Sequence, residues 1–153
     1  LGDVYKRQWK GLSLSAQFSW MADRWVMNND RFFEESNGLY STYNQSRRLL
    51  YDRWKKPGDI TDIPRHGVYT EFDDRLLEDA SFLRLKNLML SYTFPQEWLR
   101  KTRFIGGARI YAQAQNLFTF TKFTGLDPEG NSNMYQAQYP MARQFTFGLD
   151  LTF

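Results

Sequence analysis

The chain has 153 residues, a formal net charge of +3 and an aromatic content of 18%. One ordinary domain with a sizeable core fits this length. No apolar run approaches the roughly 18 to 20 residues that a membrane helix needs, which excludes a helical membrane protein. Basic and acidic residues are interspersed rather than gathered into a basic stripe, so nucleic acid is not an expected partner. The chain contains no cysteine, which excludes disulfides and thiolate metal sites.

The first eight residues, 1–8, differ in character from the rest of the chain. Asp3 to Gln8 is what the mosaic-end sequence of a common transposase sequencing adapter encodes when it is translated in frame. A natural polar N-terminus is the alternative. We expect residues 1–8 to be an artefact of read assembly, and residues 9–153 to be the native part of an open reading frame truncated at its start.

Four segments alternate between apolar and polar residues with a period of two, which is typical of strands with two different faces. We predict these strands near residues 11–27, 82–94, 104–121 and 140–153. The apolar row of the last segment is the most regular and consists of Phe145, Phe147, Leu149, Leu151 and Phe153.

The predicted strands are longer than the five or six residues usual in globular proteins. The segment from Gln144 to Phe153, at about 3.3 Å per residue, extends roughly 33 Å. Tilted by about 45°, it rises roughly 23 Å, close to the apolar band of about 25 Å on outer-membrane barrels. A soluble β-sandwich produces the same alternation, because one buried face is sufficient. Strand length therefore favours a barrel, whereas alternation alone leaves both folds open.

The connections between the predicted strands are of very unequal length. The second and third strands are joined by a short link with a predicted helical turn at 96–99, whereas segments 28–81 and 122–139 are long and polar. Outer-membrane barrels have short periplasmic turns and long extracellular loops. We therefore predict that 28–81 and 122–139 are outer loops and that Phe153 lies at the periplasmic rim.

Several sequence motifs occur in a fixed order along the chain. They are LEDASFLRLKN at 77–87, IYAQAQNLFTFT at 110–121, GLDPE at 125–129 and the ending RQFTFGLDLTF at 143–153, preceded by RWKKPGD at 53–59 and DIPR at 62–65. From about Trp9 onward, the chain resembles the C-terminal region of the SusC/RagA family of TonB-linked outer-membrane proteins of Bacteroidetes.

This resemblance implies an all-β fold, an antiparallel transmembrane β-barrel fragment made of the last four strands of a large TonB-dependent receptor barrel. Family members are similar in importing oligosaccharides or peptides across the outer membrane. The implied partners are the remainder of the barrel and its plug, a SusD-like lipoprotein lid, the TonB complex, the barrel-assembly machinery and the lipid bilayer. A soluble β-rich glycan-binding or surface-interaction module is the alternative.

Three sets of residues are candidates for function. The terminal apolar row is expected to act as an assembly signal (a β-signal) and lipid face, because a terminal strand with free backbone groups pairs with the insertion machinery; a plain core face is the alternative. A second set is expected to face the lumen, where it contacts substrate or simply keeps a wet wall polar. A third set, in the first outer loop, is expected to contact a ligand or the lid, unless that loop packs on itself. The lumen set is Arg109, Tyr111, Gln113, Gln115 and Asp150. The loop set is Trp25, Tyr51, Arg53 and Trp54.

No catalytic, metal or cofactor site is expected. Glu34–Glu35 and Asp73–Asp74 are adjacent in sequence, and nothing places one acid across a cleft from another, as a glycosidase requires. His66 is the single histidine and has no metal-ligand spacing around it. The chain is therefore not expected to be an enzyme.

Overall fold

The computed structural model describes residues 2–69, 71–102 and 104–153; Leu1, Thr70 and Arg103 lie outside the described residues. The strands are β1 Gly2–Trp9, β2 Leu12–Met21, β3 Trp25–Asn28, β4 Leu77–Asp79, β5 Phe82–Thr93, β6 Gly107–Thr121, β7 Met134–Tyr135 and β8 Gln144–Thr152. The α-helices are α1 Asn29–Glu34, α2 Arg48–Tyr51 and α3 Gln96–Leu99. Within the described ranges, no helix has both the length and the apolar character needed to cross a membrane.

The chain divides into two compact units. The sheet unit comprises the described parts of Leu1–Ala22, Phe82–Thr121 and Met141–Phe153. The loop unit comprises those of Asp23–Ser81 and Lys122–Pro140. The two long segments predicted as outer loops thus supply nearly all of the loop unit.

The sheet unit is one antiparallel sheet of five strands in the order β1-β2-β5-β6-β8. The predicted antiparallel fold class is confirmed, and β5, β6 and β8 lie within the segments predicted as strands. The segment predicted as one strand over 11–27 differs, because β2 ends at Met21 and β3 pairs with β4 and β7 in a separate sheet. Asp23, which separates β2 from β3, has a φ of 55°, a left-handed conformation that a strand does not accommodate.

The sheet has five strands rather than the four predicted, because Gly2–Trp9 also pairs as a strand. Its side chains do not continue the two faces of β2. Arg7 lies opposite Leu14 and Asp3 opposite Phe18, so two charged residues fall on the apolar face. Backbone pairing does not depend on side-chain polarity, which explains why a strand forms here although its sequence does not match a two-faced wall.

A bulge at Lys86 keeps the apolar residues of β5 on one face. Leu88 lies opposite Ala16, and Leu85 lies opposite Phe18, so the apolar row changes from even to odd numbers across the bulge. An extra residue in one strand shifts its side-chain phase by one position. Without that shift, Leu85 would point to the polar face.

The two faces of the sheet differ sharply. The apolar face is widely exposed, with Phe147 at 80% and Leu149 at 59% exposure. Soluble monomers rarely expose contiguous apolar patches of this kind. One apolar row runs across Leu14, Leu90, Ala112 and Phe147. The adjacent row, on the opposite face, runs across Ser15, Met89, Gln113 and Thr146.

The loop unit contains the small sheet β4-β3-β7 and a compact apolar core. That core consists of Val26, Ala80, Phe123 and Tyr135. The Phe123 and Tyr135 rings meet edge to face with centroids 5.1 Å apart, and the Tyr135 hydroxyl accepts the Leu126 N–H at 2.9 Å. Parts of the two long segments are therefore ordered against each other by a shared core.

Candidate functional site

The residues predicted to face the lumen lie together on the polar face of β6 and β8. Arg109 donates to the Ser91 hydroxyl at 3.2 Å, and its guanidinium lies 4.0 Å from the Asp150 carboxylate on β8. The Gln113 amide donates to Asn87 at 3.0 Å. These contacts join the side chains of β5, β6 and β8, so neighbouring polar side chains on this face hold one another in place.

Gly148 is a residue of this face that the sequence reasoning did not single out. It pairs with Tyr111, and the Tyr111 ring lies over it. A methyl group at position 148 would overlap the ring as it is placed, so glycine supplies the space that the Tyr111 ring occupies. The signal in the sequence was a glycine at a polar-face position of an otherwise regular strand.

The terminal apolar row lies on the exposed face of an edge strand. Phe145, Phe147 and Leu149 pair with Ala114, Ala112 and Ile110 of β6, and nothing in the described chain pairs with the other edge of β8. Phe153 follows the strand and is 88% exposed. A free strand edge beside a row of exposed apolar side chains is suited to pairing with another strand in a membrane.

The residues predicted in the first outer loop are only partly brought together. Tyr51 and Arg53 line one groove of about 530 Å³, together with Lys55 and Ile60. Trp25 lies on β3, where its indole N–H donates to Asp23 at 3.1 Å. Trp54 is half-buried, and its backbone N–H donates to Ile63 at 3.0 Å.

A network of ion pairs organises the loop unit. Arg31 pairs with Glu35 at 3.0 Å and with Glu78 at 2.9 Å. Arg48 pairs with Glu35 at 2.8 Å and with Asp62 at 2.9 Å. Glu35 is therefore buried between two arginines and serves as a structural link. The network lines a cleft of about 650 Å³. Across the described ranges, no group of three or more His, Asp or Glu side chains is arranged to hold a metal ion.

Glu78 connects the two long segments of the loop unit. Its carboxylate accepts the Thr124 N–H at 3.0 Å and also binds Arg31 and Asn28. Burial opposes ionisation of Glu78, but the hydrogen bonds from Thr124 and Arg31 outweigh it and lower the pKa of this carboxyl. The pKa of Asp62 is also lowered, because the hydrogen bonds and charge of Arg48 outweigh its partial burial.

The fold and the two faces define a segment of an outer-membrane-type β-barrel wall. Over 155 residues the chain is 42% identical to the TonB-dependent receptor SusC of Bacteroides thetaiotaomicron, a match that covers 100% of this chain and 15% of that protein. It is 36% identical to the TonB-dependent receptor P3 of Formosa agariphila over 117 residues, which cover 68% of this chain and 12% of that protein. The chain belongs to the SusC/RagA family of TonB-dependent transporters, and it spans 15% of the length of SusC.

Solved structures agree with this assignment. The RagAB peptide importer in the open-open state matches with a TM-score of 0.90 and 43% identity, covering 99% of this chain and 17% of that chain. The closed-closed state of the same importer matches with a TM-score of 0.85 and 44% identity over 95% of this chain and 16% of that chain. No family model matches. These relatives are named as receptors and importers, and none of them as an enzyme.

The ion pair of Glu78 with Arg31 and its hydrogen bonds predict a defined pH dependence. A carboxyl with a lowered pKa contributes stability above its ordinary value of about 4.5, and that contribution is lost as the pH falls through the lowered value. We expect Glu78→Gln to destabilise the loop unit by about 2 kcal/mol at pH 7 and by less at pH 3, because the contribution of the charge declines below the ordinary pKa. Hydrogen-exchange protection of the Met27 amide, in the assembled transporter, measures this difference.

Glu71→Gln is the matched control for this substitution. Glu71 is exposed, lies in the same unit, and makes no side-chain bond to another described residue. An equal loss of protection at pH 7 and pH 3 in Glu78→Gln would show that the charge of Glu78 is not what holds the two segments together.

Proposed function

We propose that the chain is the C-terminal wall segment of an outer-membrane transporter that imports oligosaccharides or peptides. The observation that carries this proposal is the exposed apolar face across β2, β5, β6 and β8, opposite a polar face with cross-strand contacts. Such a sheet is suited to a wall with lipid on one side and a polar lumen on the other. Import belongs to the whole transporter, because the chain spans only 15% of SusC.

In this proposal the lumen set of β6 and β8 keeps the inner wall polar and rigid. Arg109 is held between Ser91 and Asp150, and Gln113 is held by Asn87. The terminal apolar row on β8 faces lipid and guides assembly by offering its free edge to the assembly machinery, then to the first strand of the barrel.

The proposed partners are the remainder of the barrel with its plug, the TonB complex, and a SusD-like lipoprotein that closes the outer opening. The groove at Tyr51 and Arg53 is the proposed contact with that lipoprotein. Tyr51 is 61% exposed and Ile60 is wholly exposed, and Arg53 and Lys55 stand beside them. Tyrosine and arginine are residue types enriched at interface hot spots, and here they stand beside an exposed apolar side chain. Trp25, at 54% exposure, and Trp54 are proposed as supporting contacts.

We further propose that residues 1–8 are foreign to the transporter. Arg7 would face lipid level with Leu14 and Phe147, where an arginine costs roughly 2–4 kcal/mol near the midplane of a barrel. A native strand at this position is expected to carry apolar residues in place of Asp3 and Arg7. Sequencing reads that span the Gln8–Trp9 junction are predicted to diverge upstream of Trp9. Reads that continue unbroken through Asp3–Gln8 in independent libraries would refute this.

The assembly role of the terminal row is testable with Phe153→Ala in the transporter that contains this segment. Removal of the terminal ring takes away part of the surface offered to the assembly machinery. We expect less folded transporter in the outer-membrane fraction, measured as the heat-modifiable band on a gel. Phe104→Ala is the control, because Phe104 is also exposed but lies outside the row. Equal assembly of both variants would contradict the signal role.

The proposed lipoprotein contact is testable with Tyr51→Ala and Arg53→Ala. Loss of an interface hot spot costs at least about 1.4 kcal/mol, which is tenfold in affinity. We expect each variant to weaken binding of the lipoprotein by about that factor in a pull-down from detergent, whereas the exposed Tyr69, when replaced by alanine, leaves binding unchanged. Wild-type affinity in both groove variants would exclude this groove as the contact.

A further inference from the structure

A second groove in the loop unit has aromatic walls. It has a volume of about 470 Å³ and is bounded by Phe33 and Tyr43. The two rings lie 5.8 Å apart, and each also packs against Tyr40, at 5.1 Å and 6.2 Å. Tyr43 nevertheless remains 57% exposed. The walls of this aromatic groove are therefore fixed by their neighbours and accessible to a ligand.

The remaining side chains of the aromatic groove give it a negative charge. Its lining contains the carboxylates of Asp30 and Glu34, the polar Asn44 and the small Ala137, and no described cation. Within the described chain, the Glu34 carboxylate makes no hydrogen bond or ion pair, whereas the neighbouring Glu35 is neutralised by two arginines. The groove thus presents two acids in a chain whose net charge is +3.

Asp30 is held in place at the edge of the aromatic groove. Its carboxylate accepts the Ala137 N–H at 2.9 Å and 3.2 Å, which connects α1 to the second long segment. Each carboxylate oxygen retains lone pairs for a further donor. Asp30 and Glu34 are four residues apart at the two ends of α1, so both face the same side of the helix.

We propose that the aromatic groove binds the cationic side chain of a peptide, a lysine ammonium or an arginine guanidinium. A cation over an aromatic face is attracted by the ring quadrupole, and the two carboxylates add charge-assisted hydrogen bonds. A neutral sugar would stack on the same rings and its hydroxyls would donate to the carboxylates, but both negative charges would remain without a counter-charge. The charge of the groove therefore selects a cation. This inference rests on the proposed importing role and adds a preference among its cargoes.

The test uses the detergent-solubilised transporter that contains this segment and two peptides of one sequence. One peptide carries a single lysine, and in the other that lysine is acetylated, which removes the charge. We expect the lysine peptide to bind about tenfold more tightly at low salt, and the difference to shrink at high salt. Binding is measured by fluorescence anisotropy of the labelled peptides.

Two variants assign that preference to the aromatic groove. Glu34→Gln keeps the shape of the side chain and removes its charge, and Tyr43→Leu keeps apolar volume and removes the ring. Each is expected to lower the preference for the lysine peptide to about threefold or less. Glu71→Gln, the same substitution at an exposed acid of the same unit, is expected to leave it unchanged.

Equal binding of the two peptides by the wild-type transporter would overturn the proposal. So would an undiminished lysine preference in Glu34→Gln and Tyr43→Leu, or displacement of the lysine peptide by a neutral oligosaccharide that binds equally well to Glu34→Gln. If the proposed transporter role is wrong, the wild-type protein will be absent from the outer-membrane fraction. That result is distinguishable from loss of the lysine preference, which is measured by peptide binding.

Discussion

Lipid offers no hydrogen-bond partners to a polypeptide backbone, so each N–H and C=O group inside a bilayer must be satisfied within the protein. The antiparallel ladder from β2 through β5 and β6 to β8 meets that requirement along the paired lengths of these strands. The rest of the sheet unit depends on this ladder. Side chains of β5 and β6 are aligned on two faces because the strands stay paired on both sides of the bulge at Lys86, which corrects the phase where the sequence changes it.

The loop unit is stabilised by a different kind of interaction. Its apolar core is small, and polar contacts connect segments far apart in sequence. Arg31 and Glu78 are 47 positions apart, and Glu78 also holds Thr124 of the other long segment. Charged groups that bond to several partners fix a loop while leaving its surface polar. This arrangement holds the aromatic rings of Phe33 and Tyr43 beside two acids without a large core beneath them.

The sequence predicts those parts of the structure that follow a local period. Alternation of residue types located β5, β6 and β8, and the short link between β5 and β6 contains α3 where a helical turn was predicted. Alternation did not predict the end of β2, because that end depends on the left-handed conformation of Asp23. Nor did composition predict a strand at Gly2–Trp9, because its pairing is a backbone property.

The candidate sites also differ in whether a local sequence period predicts them. The lumen set was predictable because alternate residues of a strand share a face. The contacts of Glu35 with Arg31 and Arg48, and the aromatic groove at Tyr43, depend on long-range folding of a polar loop, for which the sequence has no period. Trp25 and Trp54 were grouped with Tyr51 and Arg53 by residue type, and neither tryptophan lines the groove at Tyr51.

The central claim is that the two faces of this sheet meet lipid and lumen, and adjacent residues of β8 test it most directly. This segment contains no cysteine, so Leu149→Cys and Asp150→Cys each create one labelling site within it, in a transporter from which any other exposed cysteine has been removed. A fluorophore is attached at each position of the transporter, which is then reconstituted in bilayers that contain a nitroxide-labelled lipid. We expect strong quenching at position 149, which faces lipid, and little at position 150, which faces the lumen. Equal quenching at both positions, or none at either, would contradict that claim.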